Sequence, residues 1–134
     1  MLARREYSRQ ELERKLLPYA DNPDELPALL AEFEQRGWLS ERRFAEELTA
    51  TRSRRYGPRR IANELREKGV SEETISGALA SLQGSELEAA RAVWQKKFGV
   101  RPANASAKAR QIRFLQGRGF SFDTIRRVVG GNDD

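Results

Sequence analysis

Leu65-Arg66-Glu67-Lys68-Gly69-Val70-Ser71-Glu72-Glu73-Thr74-Ile75 is the stretch that decides the fold. Its spacing is Leu-x-x-x-x-Φ-Ser-x-x-x-Φ, with Φ apolar. A helix ends at Gly69, the turn sends Val70 inward, and Ser71 caps the next helix. The same spacing runs from Leu2 through Tyr7 and Ser8 to Leu12, and from Leu115 through Phe120 and Ser121 to Ile125. A looser copy with one extra residue runs from Phe33 through Gly37, Trp38, Leu39 and Ser40 to Phe44. A chain that repeats such a unit is a helical array, and arrays serve as binding surfaces.

Outward from these copies the pattern stays helical. Ser8 and Glu11 form a capping-box pair, with Tyr7 and Leu12 as its staple. Leu12, Leu16 and Leu17 make the inner face of that helix. Asp24 is placed to cap a helix carrying Leu26, Leu29, Leu30 and Phe33 up to Gly37, with Pro27 in its first turn. Ser40 opens a helix with Phe44, Ala45 and Leu48 inward, running to about Arg55. Gly57-Pro58 breaks it and starts another, which carries Ile61 and Leu65. Ser71 opens a helix with Ile75, Ala78, Leu79 and Leu82. Ser85 and Glu88 suggest a second capping box before Leu87, Ala90, Val93, Trp94 and Phe98. After a loop over residues 99–105, Ile112 and Leu115 face inward, and Ser121 opens a last helix with Phe122, Ile125, Val128 and Val129. Residues 130–134 read as a tail.

No stretch reads as a strand, so the expected fold is all-α. With a helical stub over residues 1–6 there are about nine helices, in tandem three-helix repeats over residues 1–36, 37–82 and 83–134. The first motif begins one residue after Met1, so its repeat reads as truncated, and a longer N-terminal helix is expected in the full protein.

The composition excludes several functions. The 134 residues contain no cysteine and no histidine, which removes thiolate ligands, disulfides and the commonest general base. No phosphate-binding glycine loop and no nucleophile-elbow pattern occurs. Hence no catalytic residue, metal or cofactor is assigned. No segment is long and apolar enough to span a bilayer or act as a signal peptide, so the expected location is cytoplasmic.

Charge is partitioned along the chain. Residues 21–50 hold eight acids against three bases, residues 51–70 seven bases against two acids, and residues 101–127 seven bases against one acid. Such a surface suits polyanion contact on some faces only. The segment 51–60 gathers Arg52, Arg54, Arg55, Tyr56, Arg59 and Arg60. Guanidinium forks bind phosphate or carboxylate, and tyrosine stacks. Arg52, Arg54 and Arg55 also suit a helix C-terminus, whereas Arg59 and Arg60 near an N-terminus oppose the helix dipole and call for another role. Lys68 follows, and Lys108, Arg110, Arg113 and Arg118 form a second basic set. Trp38 and Trp94 follow apolar spacing and are expected in the core.

Helix, turn, helix is also how a DNA-reading motif looks. However, residues 71–82 contain no Lys, Arg, Asn or Gln and carry Glu72 and Glu73, so that copy is no recognition helix. The last copy, with Arg126 and Arg127, is not excluded by charge. A nonspecific DNA-binding protein and a helical adaptor for another protein both stay open.

Four blocks in order carry a family resemblance. They are Ser-Arg-Gln-Glu-Leu-Glu-Arg-Lys-Leu (8–16), Gly-Trp-Leu-Ser-Glu-Arg-Arg-Phe-Ala (37–45), Arg-Tyr-Gly-Pro-Arg-Arg-Ile-Ala-Asn-Glu-Leu-Arg-Glu-Lys-Gly-Val (55–70) and Lys-Ala-Arg-Gln-Ile-Arg-Phe-Leu-Gln-Gly-Arg-Gly-Phe (108–120). In these the chain resembles the RecX family, regulators of the bacterial RecA recombinase. The resemblance implies an elongated, curved, right-handed-type array of three-helix repeats. It also implies docking on the RecA–single-stranded DNA filament, as a monomer without membrane contact. Modulation of recombinase, ATPase and coprotease activity in DNA repair and the SOS response would follow, without catalysis or cofactor.

Overall fold

The opening motif has a hydrogen-bond reason. Lys68 ends a helix, and Gly69 takes a φ of 84° that other residues adopt only with strain. The Val70 N–H then bonds the Leu65 carbonyl at 3.0 Å and the Gly69 N–H bonds Arg66. This is the crossed closure of a helix end through a left-handed residue. It fixes the five-residue step from Leu65 to Val70, both buried. The Phe120 N–H reaches Leu115 in the same way at 3.3 Å. The serines then act as expected: Ser8, Ser40, Ser71 and Ser121 accept from the N–H of Glu11, Arg43, Thr74 and Thr124.

The structure is a computed structural model that describes residues 5–82 and 84–130. Among these the chain is all-helical. It has eight α-helices, α1 (Arg9–Leu16), α2 (Leu26–Gln35), α3 (Glu41–Arg52), α4 (Pro58–Glu67), α5 (Glu72–Ala80), α6 (Glu86–Lys97), α7 (Ala105–Gly117) and α8 (Phe122–Val129). Two single 3-10 turns, Leu17–Tyr19 and Pro23–Glu25, lie between α1 and α2. Of the stub expected over residues 1–6, residues 1–4 and with them Leu2 lie outside the described residues. Arg5 and Glu6 are not helical.

Three apolar cores follow the chain in order. Leu12, Leu30 and Leu39 hold α1 and α2, with Tyr7, Leu16 and Phe33 packed against them. Phe44, Ala45, Ile61, Leu65, Val70 and Ile75 lead the core of α3, α4 and α5. Ala90, Leu115, Phe120, Ile125, Val128 and Val129 form that of α6, α7 and α8. Burying one such leucine or isoleucine stabilises by about 1.5–3 kcal/mol. Inside the third core the Trp94 indole N–H donates to Gln111 Oε1 at 2.9 Å, and Gln111 Nε2 donates to the Val100 carbonyl.

Several local expectations are corrected. Ser85 has helical backbone angles, and its hydroxyl donates to the Leu82 carbonyl, so it makes no capping box with Glu88. Asn22 rather than Asp24 caps the turn before α2, accepting from the Asp24 N–H. α3 ends at Arg52, and a non-helical turn follows. Trp38 is half exposed (50%), and so is not core. In the looser motif copy Trp38 makes the N–H bond back to Phe33, and the extra residue hands the inward position to Leu39. Phe122, expected inward, is 68% exposed.

Candidate functional site

Gly57-Pro58 breaks the chain between α3 and α4, and the breaking turn is held by the next helical unit. The Gly57 N–H donates to the Arg118 carbonyl at 2.8 Å and the Arg59 N–H to the Gly119 carbonyl at 3.1 Å. A Cβ on Gly57 would lie 2.5 Å from the Gly119 carbonyl carbon and from Phe120 Cα. Gly119 has a φ of 89°, and a Cβ there would lie 2.5 Å from the Arg60 backbone nitrogen. Two glycines therefore let two backbones touch.

This contact presses Tyr56 between two guanidiniums. Arg60 lies 4.1 Å and Arg118 5.3 Å from its ring centroid. Arg60 also donates to the Gly117 carbonyl, and Arg118 donates back to the Arg55 carbonyl. Cations over a ring face are attracted by its quadrupole. Arg60 and Arg118 thus lock the second unit to the third.

Arg54, Arg55 and Tyr56 form a ridge with a cleft on either side. On the α4 side a cleft of 910 Å³ also takes in Arg52, Arg60 and Lys68, together with Glu64 and Glu67. On the other side a cleft of 640 Å³ takes in Arg118, Phe114 and Val93, with Lys96 and Lys97 from the end of α6. Among the described residues no carboxylate lines this second cleft.

The expected contact residues thus fall into different situations. Arg52 forks onto Glu64 through two bonds of 2.9 Å. That bond holds its pKa above the usual arginine value, against the opposing effect of burial. Lys68 is engaged with Glu11 at 2.9 Å. Arg59 turns away to a smaller cleft beside Asn63 and Arg66. Arg54 and Arg55 are exposed, and among the described residues their guanidiniums have no ion-pair or hydrogen-bond partner.

On α7, Arg110 sits about one turn before Phe114 and so continues the line of Phe114 and Arg118. Arg113 flanks that line. Lys108 lies about a third of the way round the helix from it. Lys96 and Lys97 were not expected. Their position in the last turn of α6 looks like ordinary dipole compensation, and only the packing brings them opposite Arg54.

Among the described residues no group of three His, Cys, Asp or Glu side chains is placed to hold a metal ion, and no helix is long and apolar enough to cross a membrane. The site is a basic, partly aromatic surface suited to binding.

Comparison with known proteins gives the same direction. The family model described as "RecX, second three-helix domain" matches residues 40–79, and "RecX, third three-helix domain" matches residues 85–129. A protein named regulatory protein RecX from Chromobacterium violaceum is 48% identical over 134 residues, covering 100% of this chain and 87% of that one. Another of that name from Ralstonia pickettii is 43% identical, covering 99% of this chain and 84% of its own. The crystal structure of RecX from Lactobacillus salivarius superposes with a TM-score of 0.82 at 19% identity, covering 98% of this chain and 89% of that one, and shares the fold. The chain belongs to the RecX family of regulatory proteins.

Proposed function

We propose that the chain binds the filament that the RecA recombinase forms on single-stranded DNA, and modulates its recombinase, ATPase and coprotease activity in DNA repair and the SOS response. It acts in the cytoplasm as a monomer, by binding rather than catalysis and without a cofactor. Its working units are three helical repeats over residues 1–36, 37–82 and 83–134. The family supports the role of a regulator.

The observation that carries the reading is the ridge of exposed Arg54 and Arg55 beside half-buried Tyr56, with a basic cleft on each flank. A nucleoprotein filament presents phosphate and acidic protein surface. Arginine forks pair with both, and two unpartnered guanidiniums break no existing ion pair on binding. Arg52, Lys68, Arg60 and Arg118 serve the ridge by fixing its scaffold.

The test replaces Arg54 and Arg55 together by alanine and measures inhibition of the recombinase's DNA-dependent ATPase. Both side chains are exposed and serve no packing role, so the melting curve should stay unchanged. The concentration for half-inhibition should rise about tenfold or more, since losing each charged contact costs about 1.5–3 kcal/mol when desolvated and less in water. Undiminished inhibition by the double variant would remove the ridge from the interface.

A further inference from the structure

The two clefts beside the ridge differ in a way that selects a ligand. In the α4-side cleft Glu64 and Glu67 offset the bases, and Arg52 and Lys68 are already committed to Glu64 and Glu11. The α6-side cleft brings Arg54, Arg55, Lys96, Lys97 and Arg118 together, with no carboxylate among the described residues that line it. Its floor is Ala92, Val93 and Phe114, so it is not merely a solvated charged patch. Phe114 stands edge-to-face on Phe98, with ring centroids 5.5 Å apart, which fixes its plane. Arg118 lies 5.1 Å and Lys97 5.4 Å from the Phe114 centroid. Arg118 also reaches the Tyr56 ring at 5.3 Å, so one guanidinium lies near both rings.

We propose that this α6-side cleft holds single-stranded nucleic acid directly, with phosphates on Lys96 and Lys97 and an unpaired base against the Phe114–Arg118 pair. This rests on the filament role proposed above and narrows it to one cleft and one ligand class. A basic groove that tracks a backbone, with aromatic and guanidinium planes for base faces, is the chemistry of strand binding without sequence preference. Lysine is the mobile member: Lys97 leaves the ring for a phosphate, and a base takes the vacated face. A duplex hides its base faces in the stack and offers the cleft only phosphates. A purely acidic peptide such as polyglutamate would satisfy the charges but brings no aromatic face to the ring.

The experiment titrates the full chain against a labelled oligothymidylate of about 20 nucleotides, long enough for the site sizes usual in strand-binding folds. The comparison probes are an abasic oligonucleotide of equal length, a duplex and polyglutamate. The oligothymidylate should bind severalfold tighter than each of these. K96A/K97A should weaken its binding about tenfold and flatten the slope of log K against log salt by about one or more, as two phosphate contacts are lost. Phe114→Leu, which keeps an apolar floor, should narrow the gap between base-bearing and abasic strands.

Equal affinity for the abasic strand would reduce the cleft to an electrostatic patch, and equal affinity for polyglutamate would make it an acidic-protein site. Either result overturns the proposal, as does oligothymidylate binding that K96A/K97A leaves unchanged. The filament role fails separately: it falls if R54A/R55A inhibits the recombinase as the unmodified chain does. If R54A/R55A loses inhibition while K96A/K97A leaves oligothymidylate binding intact, only the strand-binding assignment falls.

Discussion

The joint between the α1–α2 and α3–α5 units and the joint between the α3–α5 and α6–α8 units use the same kinds of element. In each, the glycine turn at the end of a helix rests on the start of a helix in the preceding unit. At the first joint the turn is Glu67-Lys68-Gly69 and the helix is α1. The Gln10 amide faces the Glu67 and Lys68 carbonyls, and with its nitrogen assigned to that side it donates to them at 2.9 and 3.0 Å. Lys68 pairs with Glu11. At the second joint the turn is Gly117-Arg118-Gly119 and the helix is α4, and there the backbones themselves bond through Gly57 and Arg59. Side chains bridge the first joint, whereas at the second two glycines let the backbones bond directly and the Arg60 and Arg118 side chains add to that contact. This joint also carries the Arg54–Tyr56 ridge, so the surface proposed to bind sits where the two backbones meet.

Substitutions at the equivalent glycines expose the difference. Gly119→Ala adds a Cβ 2.5 Å from the Arg60 nitrogen at a φ of 89°. Left-handed strain of about 1–2 kcal/mol then combines with overpacking of about 1–3 kcal/mol, for an expected loss near 3 kcal/mol or more in urea unfolding. Gly57→Ala suffers only the overpacking, so about 2 kcal/mol. Gly69→Ala sits at the same turn position in the first joint, with a φ of 84° but nothing nearer than Gln10 at 3.6 Å. It should cost only the strain, about 1–2 kcal/mol. Equal losses at Gly69 and Gly119 would break the distinction between the joints.

The smallest effect is at the ion pair. Glu11 accepts from Arg5 at 2.8 Å, Lys68 at 2.9 Å and the Ser8 N–H at 3.0 Å. Partial burial pushes its pKa up, but the Ser8 N–H, Lys68 and Arg5 outweigh that and hold it below the usual carboxylate value. A lowered folded pKa gives stability that is present above the unfolded value of about 4.3 and lost as pH falls through the folded one. Glu11→Gln should therefore cost about 1 kcal/mol at pH 7, a partly exposed pair being worth less than a buried one. The gap between the two proteins should shrink as the pH drops below about 4. A gap that stays constant to pH 3 would show that Glu11 acts by packing alone.

The helix ends were legible because they are local: Leu65 to Val70 is one turn closure, and Ser71 to Thr74 one cap. Trp38 was misread because the extra residue in its motif copy moves the inward position to Leu39, a one-residue shift that apolar spacing does not resolve. Ser85 looked like a cap by residue type, but its backbone is helical there and its hydroxyl is occupied by Leu82. The arginines of residues 51–60 were visible as charge. Their division into scaffold and free surface was not, because the partners of Arg60 and Arg118 lie about sixty residues away along the chain. Lys96 and Lys97 were hidden for the same reason, since only the second joint brings α6 opposite the ridge.

Whether the ridge at the second joint engages the assembled filament is read most directly by comparing binding to three targets under one salt condition. These are bare single-stranded DNA, the recombinase alone and the recombinase assembled on that DNA. The filament should bind most tightly, bare DNA measurably but more weakly, and R54A/R55A should lose the filament preference. Equal binding to bare DNA and filament, or filament binding that R54A/R55A leaves intact, would contradict the account.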